Sequence, residues 1–182
     1  CDGIANSNAA EFDTSYNTGL GACLMDHISV HSAGPFEANH AGIATQLGVA
    51  RPHPLADGQK HLAKVRYFPE IRYDLLPYFT ATQSTLNYIK DNEEGRRMGT
   101  LAVYVDGDDE HPILAMPINL SSILRLVDNA AFVGFTASTG SVWEKHDVLA
   151  WYCCENPPCA HSSTFSADHR REASQDDNSG HV

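Results

Sequence analysis

The stretch Glu11-Phe12-Asp13-Thr14-Ser15-Tyr16-Asn17, followed by His27, places two carboxylates, an amide and an imidazole within seventeen residues. A strand over Ala9–Thr14 puts Glu11 and Asp13 on one face and Phe12 on the other, because side chains alternate along a strand. Asn17 then falls in the loop that follows. His27 opens a second extended run, Ile28-Ser29-Val30-His31, which can return alongside the first. Two strands and a loop thereby bring oxygen and nitrogen donors to a common point. Carboxylate, amide and carbonyl oxygens suit Ca²⁺, and an added imidazole suits Mn²⁺ or a similar ion.

A second block stands far downstream. It reads Phe132-Val133-Gly134-Phe135-Thr136-Ala137-Ser138-Thr139-Gly140, then His146-Asp147-Val148-Leu149-Ala150-Trp151. Together the blocks, with Gly21 between Asn17 and His27, resemble the legume-type (L-type) lectin domain, in the family's order and spacing. The resemblance runs from about Asn6 to Glu155 and is to the divergent members outside the seed proteins. It implies an all-β, concanavalin A-like jelly-roll sandwich over residues 1–155. In that family the metal segment lies near the middle of the domain, whereas here it begins at residue 11. The expectation is therefore an incomplete sandwich lacking the N-terminal half, which would leave sheet edges and a core face uncovered.

By the same resemblance, Glu11 and His27 serve a Mn²⁺ site and Asp13 bridges two ions. Asn17 and the carbonyl of Ser15 serve Ca²⁺. The family carries a third carboxylate directly after the glycine, and here that position is Ala22. A unit charge pair at contact is worth about 4 kcal/mol at an effective dielectric near 20, so cation affinity is expected to fall. Asp26 is a candidate substitute, although it neighbours His27 and adjacent strand residues face opposite ways. For sugar contact the candidates are Asn17, Tyr16, Trp143 and Glu144. Asn17 would touch cation and glycan at once, and Tyr16 stands one residue from the usual stacking position, which here is Ser15. Trp143 and Glu144 lie in the family's variable specificity loop, Gly140–Lys145.

Bulk properties narrow the partners. The chain has 182 residues, sufficient for one domain with its own core. A net charge of −11 argues against nucleic acid and anionic membranes, which demand basic patches. No apolar run is long enough to span a bilayer. The start, Cys1-Asp2-Gly3-Ile4, lacks an initiator methionine and a signal-peptide pattern, and reads as a mature product or a fragment. Five cysteines leave at least one thiol unpaired, and Cys153, Cys154 and Cys159 are close enough for a small loop disulfide. Extracellular or secretory placement, glycans or glycoproteins as partners, and pairing of copies through the sheets are expectations of the family alone.

Strand signals dominate the remainder. In His61–Tyr67, Ala63, Val65 and Tyr67 alternate with Lys64 and Arg66. Thr100–Val105 leads through Asp106-Gly107, a hairpin signal, into Ile113–Ile118. Ala131–Ala137 and Val148–Tyr152 are nearly continuous apolar runs, read as strands covered on both faces, with Trp151 in the core. Further turns are expected at Ala56-Asp57-Gly58 and Val127-Asp128-Asn129, and a short helical turn at Leu120–Leu126, capped by Asn119 or Ser121. Gln83–Gly99 reads as a solvated hairpin insertion, His53 and His61 as solvent-facing, and residues 156–182 as a disordered tail.

Three functions compete. The first is a non-enzymatic lectin that recognises glycan hydroxyls reversibly with Ca²⁺/Mn²⁺-assisted loops. The second is a degenerate interaction or structural module without sugar binding, to which Ala22 and Ser15 point. The third is a glycoside hydrolase on the same sandwich, which needs two carboxylates flanking the scissile bond. Glu11 and Asp13 share a face, but no E-x-D-x-x-E pattern occurs. His146-Asp147 lacks an accompanying G-x-S-x-G and is read as the opening of the last strand.

Overall fold

Alternating apolar residues in six short segments build two three-stranded antiparallel sheets. The computed structural model describes residues 3–15, 26–51, 54–80, 98–107, 110–128, 130–138 and 143–154. The chain divides into two compact units, Cys1–Glu144 and Lys145–Val182. Among the described residues no helix is long and apolar enough to cross a membrane.

The first sheet has the order β1-β2-β3, with β1 Ala9–Asp13, β2 His27–His31 and β3 Gln46–Ala50. Its register sets Glu11 opposite Ser29 and Asp13 opposite His27, while Ala10 faces Val30 and Phe12 faces Ile28. Opposed residues share a face. One face is therefore polar and the other apolar, as the period-two pattern requires. A bulge between Val30 and His31 admits Leu47 to the core beside them.

The second sheet has the order β4-β5-β6, with β4 Ala63–Phe68, β5 Gly99–Val105 and β6 Leu114–Ile118. Ile28, Val30 and Leu47 of the first sheet pack with Leu101, Val103, Leu114, Met116 and Ile118 of the second. Ile123 joins them from α1, Leu120–Ile123. The sheets approach closely at Gly48, where a Cβ would stand 2.5 Å from Met116 Cε and 2.6 Å from Thr80 Oγ1. On the far side of the second sheet, Phe68, Ala102, Tyr104 and Ala115 pack with Leu75 of the 3₁₀ turn Tyr73–Tyr78.

The turn chemistry is close to expectation. Asp106 and Gly107 both have positive φ, as a type I′ pair demands, although the connection to β6 runs on through residue 113. Asn119 caps α1 by accepting from Ser121 N–H, and the helix ends earlier than residue 126. Asp128 has positive φ in its turn. Gly99 and Met98 are described, and Gly99 begins β5 instead of closing an insertion; residues 83–97 and the 156–182 tail lie outside the described residues.

Two expected strands are absent. Residues 131–137 and 148–152 carry no strand pairing, and in this region the one bridge among described residues joins Val127 to Ala130. Phe132, Val133, Phe135, Val148 and Leu149 are exposed. Trp151 is 55% exposed, so it is not the core residue expected. A strand exists only when a neighbour takes its N–H and C=O groups, and among the described residues neither run joins a sheet. β4 shows a related opening: Val65 lies on the core-facing side, opposite Val103, yet is 51% exposed.

In the second unit Lys145 Nζ stands 2.7 Å from an Asp147 carboxylate oxygen. That pairs Asp147 with a lysine and further weakens a His146–Asp147 catalytic reading. Cys154 is disulfide-bonded and Cys153 is free and exposed.

His61 is not simply solvent-facing. Its Nδ1 lies 2.9 Å from Asp106 Oδ2 and its Nε2 3.0 Å from Asp57 Oδ1. The Asp106 hydrogen bond, aided by Asp57, raises its pKa above the ordinary 6.5 against a smaller effect of burial. A raised folded-state pKa gives stability that is fully present below 6.5 and is lost as pH rises through the folded value. The melting temperature should fall on going from pH 6 to pH 8, and His61→Gln should flatten that fall. An unchanged slope in the variant would show that the clasp does not contribute.

Asn6, at positive φ, ties the start of the described chain to a distant strand-like segment. Its Nδ2 donates to the Arg125 carbonyl at 3.0 Å, and Arg125 N–H donates back to Asn6 Oδ1 at 2.6 Å.

Candidate functional site

The polar face of the first sheet gathers Glu11 and Asp13 from β1 with His27, Ser29 and His31 from β2. The register places Asp13 directly across from His27 and Glu11 one pair along, as the sequence predicts. His27, Ser29 and His31 are almost wholly buried. Buried polar groups require partners, and these form a network.

Glu11 Oε2 accepts from His31 Nε2 at 3.0 Å and from the Ser29 hydroxyl at 3.1 Å. Ser29 Oγ is also 2.8 Å from His31 Nε2. On the other edge of the ring, His31 Nδ1 is 3.1 Å from Thr45 Oγ1. The Thr45 hydroxyl donates to the His40 carbonyl, which leaves its oxygen free to accept from Nδ1–H. His31 thus has a hydrogen-bond partner at each nitrogen. Burial pushes the Glu11 pKa up, but the His31 hydrogen bond and charge, the Ser29 hydroxyl and the His27 charge outweigh it. Glu11 is held below its ordinary value of 4.5.

Asp13 has a different role. Its Oδ1 accepts from Ser15 N–H at 2.7 Å, an Asx-type turn that bends the chain at the end of β1. The other carboxylate oxygen has no hydrogen-bond partner among the described residues. Thr14 donates its hydroxyl to Glu144 Oε2. That contact joins the end of β1 to the loop that carries Trp143, whose ring is 82% exposed. Tyr16 and Asn17 lie outside the described residues, as do Gly21 and Ala22.

The donors fit a cation unequally. Asp13, with the Ser15 carbonyl, offers the hard oxygens that Ca²⁺ takes. Glu11 is engaged by His31, so a transition metal at Glu11 and His27 competes with that imidazole for the same carboxylate. Among the described residues no group of three or more His, Cys, Asp or Glu side chains is arranged to hold an ion. Asp26 does not supply the carboxylate missing at Ala22: its Oδ2 accepts from Leu55 N–H at 2.9 Å and Ala56 N–H at 3.4 Å, anchoring the segment after β3.

Sequence reasoning missed His31, Ser29, Thr45 and Thr14. A signal for the first two was present, since His27, Ser29 and His31 recur at period two in an otherwise apolar strand. Thr45 gave none, because its place depends on the bulge.

The model of the legume lectin domain matches residues 80–168. This bears out the resemblance over the segment holding β5, β6, α1 and the second block; the acidic strand β1 lies before it. Comparison with curated proteins and with solved structures finds no match.

Proposed function

We propose that this divergent legume-type lectin domain binds glycans reversibly, without chemistry, at the end of β1 and the loop carrying Trp143 and Glu144. The observation that carries the reading is the Thr14–Glu144 hydrogen bond, which unites the two sequence blocks on which the resemblance rests. Trp143 offers an exposed aromatic face for the apolar side of a sugar ring. Asn17 and Tyr16, which follow β1 in the sequence, would supply an amide and a phenol. Asp13, the Ser15 carbonyl and Asn17 would hold Ca²⁺, and Glu11 and His27 with Asp13 would hold Mn²⁺ in competition with His31. The cation would supply a Lewis-acidic centre beside the sugar hydroxyls. Glycoproteins of the extracellular space or secretory pathway are the partners this reading implies.

A glycan array is the direct test. Trp143→Ala should lower the bound signal at least tenfold while leaving the melting temperature unchanged, because the ring is exposed. An empty array from folded protein would instead select the interaction module without sugar binding. The apolar side chains open to solvent at Phe132, Val133 and Phe135 favour that second reading.

Metal dependence has its own measurement. Ca²⁺ at a hundredfold excess over its Kd should stabilise the fold by about 2.7 kcal/mol. Mn²⁺ should add less, because His31 already occupies Glu11. No thermal shift with millimolar Ca²⁺ would remove the cation from the account.

A further inference from the structure

The outer face of the second sheet holds a hollow of about 450 Å³ that the lectin reading does not use. Its floor follows from the register. Arg66 and Phe68 of β4 and Tyr104 of β5 share this face and line the hollow, with Ala102 packed beneath them. The 3₁₀ turn Tyr73–Tyr78 closes the other side with Leu75, Pro77 and Tyr78.

The wall chemistry is mixed in a specific way. The guanidinium groups of Arg66 and Arg72 lie 4.6 and 4.5 Å from the Phe68 ring centroid. Arg72 is fixed by Asp74, with Nε donating to Oδ1 at 2.8 Å and Nη2 to Oδ2 at 2.5 Å. Arg66 has no carboxylate partner among the described residues, so its planar fork is held by stacking with its donors open. Tyr78 and Tyr104 provide aromatic surface and phenol groups, and His111 tilts onto Tyr78 at 6.1 Å. Glu110 also lines the hollow.

We infer that this hollow binds a hexuronate, with the sugar carboxylate on Arg66. The charge balance selects the ligand. Arg66, Arg72 and Lys64, whose ammonium lies 5.1 Å from the Tyr104 ring centroid, stand against Asp74 and Glu110, so the local excess is a single positive charge, which a monoanion neutralises. A monocarboxylate needs only the one open guanidinium, which it meets through two parallel hydrogen bonds. The aromatic walls suit the apolar face of a pyranose, and the volume matches a small ligand. The ligand is a free acid or one unit of an acidic polysaccharide; the chemistry is the same. The site stands on the opposite side of the sandwich from the polar face of β1 and β2, and is independent of any cation there.

Calorimetry on the full chain in EDTA tests this, with D-galacturonate, D-glucuronate and their neutral methyl esters as probes. The acids should bind at least tenfold more tightly than the esters. Arg66→Gln should reduce acid binding at least tenfold, leave the ester unaffected and leave the melting temperature unchanged. Trp143→Ala should leave acid binding intact. Tighter binding of trigalacturonate than of the monomer would assign a polysaccharide unit, and the reverse a free acid. Equal affinity for acid and ester, full acid binding by Arg66→Gln, or loss of acid binding in Trp143→Ala would each overturn the inference, the last by placing the sugar at the other site.

Discussion

Leu114→Ala should lower the free energy of unfolding by about 2–5 kcal/mol, the range seen when a buried leucine is truncated in a core that cannot collapse. Leu114 is completely buried, pairs in register with Val103, and packs in the layer between the sheets. Its neighbours have little freedom to fill the space. Gly48 brings β3 against Met116 so closely that even a Cβ would collide, and the strands on both sides are fixed by ladder hydrogen bonds. Val65→Ala is the control. It removes apolar atoms from the same face of the same sheet, but at a position half open to water, and should change stability by about 1 kcal/mol or less. Denaturant midpoints measured at constant m separate the two. Equal effects from the two substitutions would mean that the sheets do not enclose Leu114 as described.

His31→Ala is expected to have the next largest effect, about 2–3 kcal/mol. Removing one member of a buried ion pair leaves the other without compensation, which costs about 3–5 kcal/mol when both are fully buried. Glu11 keeps partial access to water, which reduces the penalty. Glu11→Gln should be milder, and the double-mutant cycle should show a coupling of about 0.5–3 kcal/mol. The pH dependence has a definite sign. The folded-state pKa of Glu11 is lowered, so its contribution is present above 4.5 and disappears as pH falls through the folded value. Glu11→Gln should therefore blunt the acid limb of the stability curve. The histidine variant should also respond more strongly to Mn²⁺, because Glu11 is released. A coupling near zero would show that the two side chains do not share a proton-bearing contact.

The parts that sequence made legible are those decided by local rules. The alternation in β1 and β2 correctly put Glu11, Asp13 and His27 on one face, because each strand has a single way to bury Phe12, Ile28 and Val30. Asp106-Gly107 and Asn119 announced a turn and a cap through their own backbone chemistry. The misreadings concern long-range pairing. Residues 131–137 have the composition of a central strand, but composition cannot supply a neighbouring strand, and among the described residues they join no sheet. The His31 network was hidden for the same reason: Thr45 reaches the imidazole only past a bulge in another strand. The hollow beside Phe68 joins Arg66 of β4 to Tyr104 of β5 and His111, segments far apart in the chain.

The reciprocal hydrogen bonds between Asn6 and Arg125 impose an order of events during translation. Strands β1 and β2 have nearby partners and can pair while the chain is still emerging from the ribosome. Asn6 cannot: the backbone it grips is made more than a hundred residues later, and closing so long a loop carries an entropic penalty that only the assembled sandwich offsets. The segment holding Asn6 must therefore wait unlatched until synthesis has passed Arg125.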